Sequence, residues 1–350
     1  MGMECARRAR RGALAWLVCA LAGVSGLAGT TAAAMPSNLS FETGAGAPDG
    51  WHTKGTGELA WDSTVAHAGT HSLRLRYTDW ETGWESDTFE VDGSYTTTYP
   101  VITLSAWVKG SAITGYNRPF IAWFNSSGDR IINSDMAFLQ HGSPDWTRMR
   151  FVCLPPAGAV KGLIHLDSSG NAGTTWYDDL SFTVETVPVK APINAAEDPI
   201  ISPYHAFLRD YADHPQNWDL RMEVLDMCGT YGKTALLEAE LRSLIAFCAQ
   251  PERLWMMRRL AELLGGAPEA KTLLDTVLAE ETSRVGLIHA TNLLARYWEM
   301  AGDPVKASQV YLKEAEDYPE MRTHGMYQGA MVLHVWCWSN RDRPDIIAMA

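Results

Sequence analysis

The sequence predicts a two-part chain: an antiparallel β-sandwich followed by an all-α helical-repeat domain. Three observations carry that prediction. From Ser37 to Glu185, short apolar/polar alternations are separated by Gly, Asn, Asp and Pro, the pattern of strands joined by turns. Four prolines, Pro188, Pro192, Pro199 and Pro203, then interrupt any regular element. From about Tyr204 onward, apolar residues recur at three and four, as in "LLEAELRSLIAF" and "RLWMMRRLAELL", which is the helical period. The expected boundaries are 1–34, 35–187, a linker over 188–203, and 204–350.

The first segment has Arg7, Arg8, Arg10 and Arg11 ahead of an apolar run from Ala13 to about Leu27, then "GTTAAAM". This is the layout of a secretory signal peptide with its cleavage site near Ala34. The run is short and Gly-rich for a membrane span. Its removal leaves 29 − 4 = 25 basic and 40 acidic residues (41 − 1), a net charge of −15. So acidic a chain repels nucleic acid and anionic lipid. The expected location is secreted, periplasmic or at the cell surface of a bacterium.

The strands follow in order. "HSLRLRY" puts Leu73, Leu75 and Tyr77 on one face and Ser72, Arg74 and Arg76 on the other. "ITLSAWVKG" groups Ile102, Leu104, Ala106 and Val108, and "PFIAWFN" is read with Phe120, Ala122 and Phe124 inward. "TRMRFV" pairs Met149 with Phe151, and "GLIHLDS" pairs Ile164 with Leu166. The opposite parity then carries Trp107, Trp123, Arg148, Arg150, His165 and Asp167. In "GWESDTFEV" it places Trp84 opposite an inward Phe89 and Val91. Aromatic faces pack on the apolar faces of pyranose rings, and Arg, His and Asp satisfy hydroxyls. These seven residues are the expected carbohydrate-binding set.

In the helical half, "LAELLGGAPEAKTLLDTVL" and "LARYWEMAGDPVKASQVYL" align with Leu260–Ala261 and Leu294–Ala295 in register 34 residues apart. The second copy resembles a tetratricopeptide repeat through Leu294, Ala295, Trp298, Gly302, Ala307, Tyr311 and Pro319. Such repeats present a protein-binding surface, so the resemblance implies a protein partner. "HGMYQGAMVLHVWCWSNRDRPDIIAMA" reads as a further helical pair interrupted in its second helix, with Trp336 and Trp338 lacking a stacking neighbour.

The β half also carries, in order, "NLSFETG" (38–44), "GW" (50–51), "AHAGTHSLRL" (66–75), "LSAWVKG" (104–110), "DWT" (145–147) and "WYDDLSF" (176–182). This resembles the galactose-binding-like jelly rolls, in particular carbohydrate-binding modules of the family 4/9 type. The resemblance implies a glycan ligand and a structural calcium held by Glu42, the Gly69–Thr70 backbone and Asp179, with Asp178 as an alternate. Calcium binds through hard oxygens of this kind. The bland alternative is that the acids close a turn.

Four cysteines lie beyond the leader: Cys153, Cys228, Cys248 and Cys337. They have no CxxC spacing, which excludes a zinc cluster or a disulfide scaffold. Cys228 and Cys248 are either buried thiols or a helix-to-helix pair. GxSxG, HExxH, P-loop and dinucleotide fingerprints are absent from the sequence, and His324 and His334 do not form a ligand pattern. The sequence therefore points to a non-enzymatic glycan binder with a helical interaction domain. The other readings are the non-catalytic N-terminal part of a polysaccharide-degrading enzyme and a purely structural scaffold.

Overall fold

The computed structural model describes residues 35–135, 142–194 and 197–339. The expected signal peptide lies outside these residues, as do the side chains of His334, Trp336, Cys337 and Trp338. Among the described residues, eleven strands form two antiparallel sheets, and eight α-helices follow. The first sheet orders β1 (Trp51–Lys54), β4 (Gly83–Ser86), β10 (Lys161–Ser169), β7 (Tyr116–Phe124) and β8 (Arg130–Asp135), with β5 (Phe89–Glu90) also paired to β10. The second orders β2 (Glu58–Asp62), β3 (Ser72–Arg76), β11 (Thr174–Pro188), β6 (Thr98–Ser111) and β9 (Thr147–Cys153).

Alternation correctly places the inward faces of four strands. Leu73, Leu75, Ile102, Leu104, Ala106, Val108, Met149, Phe151, Ile164 and Leu166 are all buried in the core. Tyr77 leaves the pattern: its φ of 51° takes it out of the extended strand, and it is exposed.

Two strands depart from the expected parity. In β7 the inward residues are Ile121 and Trp123, because Ile121 sits opposite Ile164 in the register and directly paired residues share a face. "PFIAWF" is apolar on both parities, so alternation alone could not choose between them. In β4 and β5, Asp87 and Thr88 lie outside the ladder between the two short strands. That break resets the parity, and Trp84, opposite Leu166, points inward along with Phe89.

The acidic pair of "WYDDLSF" sits at a register shift in the β6–β11 ladder between Asp178 and Ser181. Asp179 has φ 43° there, a conformation that aspartate tolerates better than most residues, and its N–H donates to Asp178 Oδ1 at 2.7 Å. The pair thus forms a bulge in the closing strand.

The helices are α1 (Ser202–Asp210), α2 (Asn217–Thr230), α3 (Thr234–Phe247), α4 (Glu252–Leu264), α5 (Pro268–Glu280), α6 (Arg284–Met300), α7 (Pro304–Asp317) and α8 (Arg322–Ser339). The Ser283 and Asp303 side chains accept from Gly286 N and Lys306 N and so cap α6 and α7. Each helix packs on the next, and α4 also touches α6. Fully buried Ala290, Ala295 and Ala307 permit that close packing. Trp298, one of the residues that carry the repeat resemblance, is only partly buried against its cluster, whereas Tyr297 is buried.

The linker is more ordered than its prolines suggest. β11 stays paired through Pro188, opposite Thr98, and α1 begins at Ser202 with Pro203 in its first turn, where no N–H is needed. One core cluster runs from Phe41 in the sandwich to Leu260 in α4. The buried Tyr204 hydroxyl donates to Leu154 O (2.9 Å) and accepts from Leu154 N (3.0 Å), and Phe207 meets Tyr99 edge-on at 5.4 Å. Cys153, Cys228 and Cys248 are free thiols.

Candidate functional site

The outer face of the six-stranded sheet carries a cleft of about 220 Å³. Its floor follows from strand register. On β10, His165 and Asp167 point away from the core because Ile164 and Leu166 point into it. Their ladder neighbours Phe120 and Arg118 on β7 share that face, and on β4 Glu85 lies beside His165. Gly83, opposite Asp167, has to be glycine: a Cβ there would come within 2.3 Å of His165 Nε2.

The floor is built of paired charges. Lys54 Nζ lies 2.9 Å from Glu85 Oε1, and His165 Nδ1 is 3.6 Å from the same oxygen. Arg118 Nε is 3.9 Å from Asp167 Oδ2, while Ser169 Oγ donates to Asp167 Oδ1 at 2.7 Å. Burial pushes the Asp167 carboxyl up to about 6, although Ser169 and Arg118 pull the other way. Burial also lowers His165 to about 3, helped by Lys54, Arg130 and Arg118, so its imidazole is neutral. Phe120 is flanked by the His165 ring at 4.6 Å and by the guanidinium groups of Arg118 and Arg130 at 5.8 and 5.5 Å. At the rim, Trp80 is 70% exposed and meets Tyr116 edge-on at 5.8 Å. The cleft thus offers two accessible aromatic rings above a set of charged donors and acceptors that are already held in place.

The seven residues expected to bind carbohydrate do not converge. His165 and Asp167 lie in this cleft. Trp84 and Trp123, expected on the surface, are 4% and 0% exposed and belong to the core, for the parity reasons given above. The Trp123 indole N–H donates inside the sandwich to Ser134 Oγ at 2.9 Å. Trp107, Arg148 and Arg150 lie on the other sheet, on β6 and β9. There Trp107 stacks on His67 at 4.0 Å, Arg148 donates to Ser105, and Arg150 binds Asp219 (2.7 Å) and Gln216 of the helical half. Sequence reasoning missed Trp80, Tyr116, Arg118, Phe120 and Arg130. One signal was available: Tyr116, Arg118 and Phe120 share a parity, and moving the inward face of "YNRPFIAWF" by one residue brings all three to the face that bears the cleft.

The residues expected to hold calcium gather around the loop 67–71. Glu42 accepts from Thr70 N (3.0 Å), Thr70 Oγ1 (2.6 Å) and His71 N (2.9 Å). The Asp178 Oδ2 atom accepts from His67 N at 2.6 Å, and Asp179 Oδ2 pairs with His67 Nδ1 at 2.6 Å. Gly69 has φ 66°, and a Cβ on it would strike the Glu42 carboxylate at 2.5 Å. These carboxylate oxygens face N–H and O–H groups. Among the described residues no three His, Cys, Asp or Glu side chains group so as to hold a metal. As it stands, the arrangement ties the loop to both ends of the domain; a calcium there would take these carboxylates away from their present donors and draw the rest of its six to eight oxygens from the backbone.

No family model matches the chain, and no curated protein matches it. Solved structures similar to part of the chain include the CBM22-1 xylan-binding domain of Paenibacillus barcinonensis Xyn10C, 19% identical over 44% of this chain and 94% of that domain, with a TM-score of 0.32. The CBM22-1–GH10 modules of Clostridium thermocellum Xyn10B, complexed with xylohexaose, are 18% identical over 39% of this chain and 26% of that one, TM-score 0.31. The tailspike protein 4 enzymatically active domain of bacteriophage CBA120 is 15% identical over 43% of this chain and 21% of that one, TM-score 0.34. The class the fold defines rests on the chain's own ladders: a two-sheet β-sandwich joined to a helical domain. The modules named here are of family 22, where the sequence motifs resemble family 4/9.

Proposed function

We propose that the chain binds a neutral glycan in the cleft of the six-stranded sheet and does not turn it over. The observation that carries this reading is the exposed Trp80–Tyr116 pair lining one cleft with Arg118, Arg130, Asp167 and His165. Rings of this kind stack on sugar faces, and a floor of fixed donors and acceptors serves hydroxyls. Within the cleft the cations Arg118 and Arg130 are matched by the carboxylates Glu81 and Asp167, which leaves little net field and favours an uncharged polymer over an anionic one.

Export is part of the proposal, supported by the arginines and apolar run of residues 7–27. So is a protein partner on the helices, supported by the exposed Leu312, Met326 and Tyr327 of α7 and α8. Sedimentation of the protein with insoluble xylan, cellulose, mannan and chitin tests the glycan reading. Retention on at least one polymer, lost in Arg118→Ala, with no reducing ends released on prolonged incubation, is the expected result. Failure to sediment with any of them refutes it.

A further inference from the structure

The cleft does not end in solvent at its β8 edge. The backbone N–H of Asn133, a residue of the cleft wall, donates to the hydroxyl of Tyr231 at 3.2 Å. Tyr231 follows α2 directly and is 41% exposed. The helical half therefore begins where the last strand of the cleft stops. A second helix comes up beside this point: Arg259 of α4 reaches to 3.9 Å from where a Cβ on Gly229 of α2 would stand. The same guanidinium lies 5.5 Å from the ring of Trp255, which is 38% exposed. Asp226 on α2 keeps solvent contact, yet its carboxyl is pushed up by desolvation while both Arg259 and Arg118 pull it down. One carboxylate is thus within electrostatic reach of a cleft arginine and of the arginine beside Trp255.

We infer that the glycan path continues past β8 onto α2 and α4, where Tyr231, Arg259 and Trp255 form a further subsite for the same neutral polymer. This rests on the cleft being the glycan site. The five strands from β1 to β8 span roughly 19 Å at the usual inter-strand spacing of about 4.8 Å, and a polymer lying across them leaves the sheet at Asn133. There it meets another aromatic face with a guanidinium at its side, the same pairing of ring and cation found at Phe120 with Arg118 and Arg130. The helical half would then decide how long a chain the protein prefers. That would give a functional reason for the ordered junction between the two halves.

The test is calorimetric titration of the full chain with the disaccharides and hexasaccharides of xylan, cellulose, mannan and chitin, using wild type, Trp80→Ala, Trp255→Ala, Trp255→Phe and Arg259→Ala. Unchanged circular dichroism controls for folding. In wild type the hexasaccharide should bind more tightly than the disaccharide of its series. Trp255→Ala and Arg259→Ala should shrink that gain at least tenfold, Trp255→Phe should keep most of it, and Trp80→Ala should weaken both lengths. Full retention of the length gain in Trp255→Ala, with loss in Trp80→Ala, overturns the helical subsite and leaves the cleft standing. No binding by wild type, or no effect of any variant, overturns both.

Discussion

Asp167 and Trp123 show how one register decides the work of a side chain. Asp167 is outward and its carboxyl titrates near 6, so the charge that pairs with Arg118 is lost as pH falls through 6. Glycan affinity is expected to drop between pH 7 and pH 5 in wild type, and a titration series should find Asp167→Asn nearly flat over the same range. The stability effect has the opposite sense. Asp167 and Asp178 are both raised from 3.8 to about 6 by burial, so the folded state holds their protons more tightly than the unfolded one. The stability they contribute is full below about 4 and is lost as pH rises through 6. Chemical denaturation at pH 4.5 and 6.5, with Asp167→Asn as reference, measures this. Trp123 is inward and fully buried. Trp123→Ala should cost about 3–5 kcal/mol of stability, as for other aromatics removed from a core, and an unchanged denaturation midpoint would contradict its placement.

At the scale of elements, the loop 67–71 is held between Glu42 on one side and the Asp178–Asp179 bulge on the other. Its carboxylates already receive N–H and O–H donors, so thermal unfolding in millimolar calcium and in chelator should give equal midpoints. A ligand bound only by the folded state would raise the first. Glu42→Gln should lower stability by about 1–3 kcal/mol through weakened charge-assisted hydrogen bonds. The sequence made this contact legible in part. The motif order brought Glu42, Gly69–Thr70 and the acid pair to one place, but letters do not show whether an oxygen faces a cation or an N–H. The strands differ in the same way. Those with one polar parity, such as "SLRLR", were legible. "PFIAWF" is apolar on both, and "GWESDTFEV" hides a break at Asp87–Thr88, so Trp84 and Trp123 came out on the wrong face. Trp80 escaped because it lies in a loop before β4, where alternation has no meaning.

The whole molecule is one packed body over the sandwich and the first helices, because a single core cluster joins Phe41 to Leu260. Two prolines of the expected linker are absorbed by neighbouring elements, Pro188 by β11 and Pro203 by α1. The composition announced a linker; the burial of Ile201, Tyr204 and Phe207, which cements the junction, depends on partners far away in sequence. Limited proteolysis is therefore expected to yield no stable fragment ending near residue 187, and thermal unfolding of the sandwich should coincide with that of α1 and α2. Glycan is expected to meet the face bearing Trp80, Tyr116, Arg118 and Asp167, and not the opposite sheet with Trp107 and Arg148. The most direct measurement is side-by-side titration, with the hexasaccharide that binds best, of wild type, a Trp80→Ala/Tyr116→Ala variant and a Trp107→Ala/Arg148→Ala variant. The first variant should lose at least tenfold in affinity and the second should change less than twofold. The reverse pattern, with binding surviving the loss of Trp80 and Tyr116 but not of Trp107 and Arg148, would contradict that expectation.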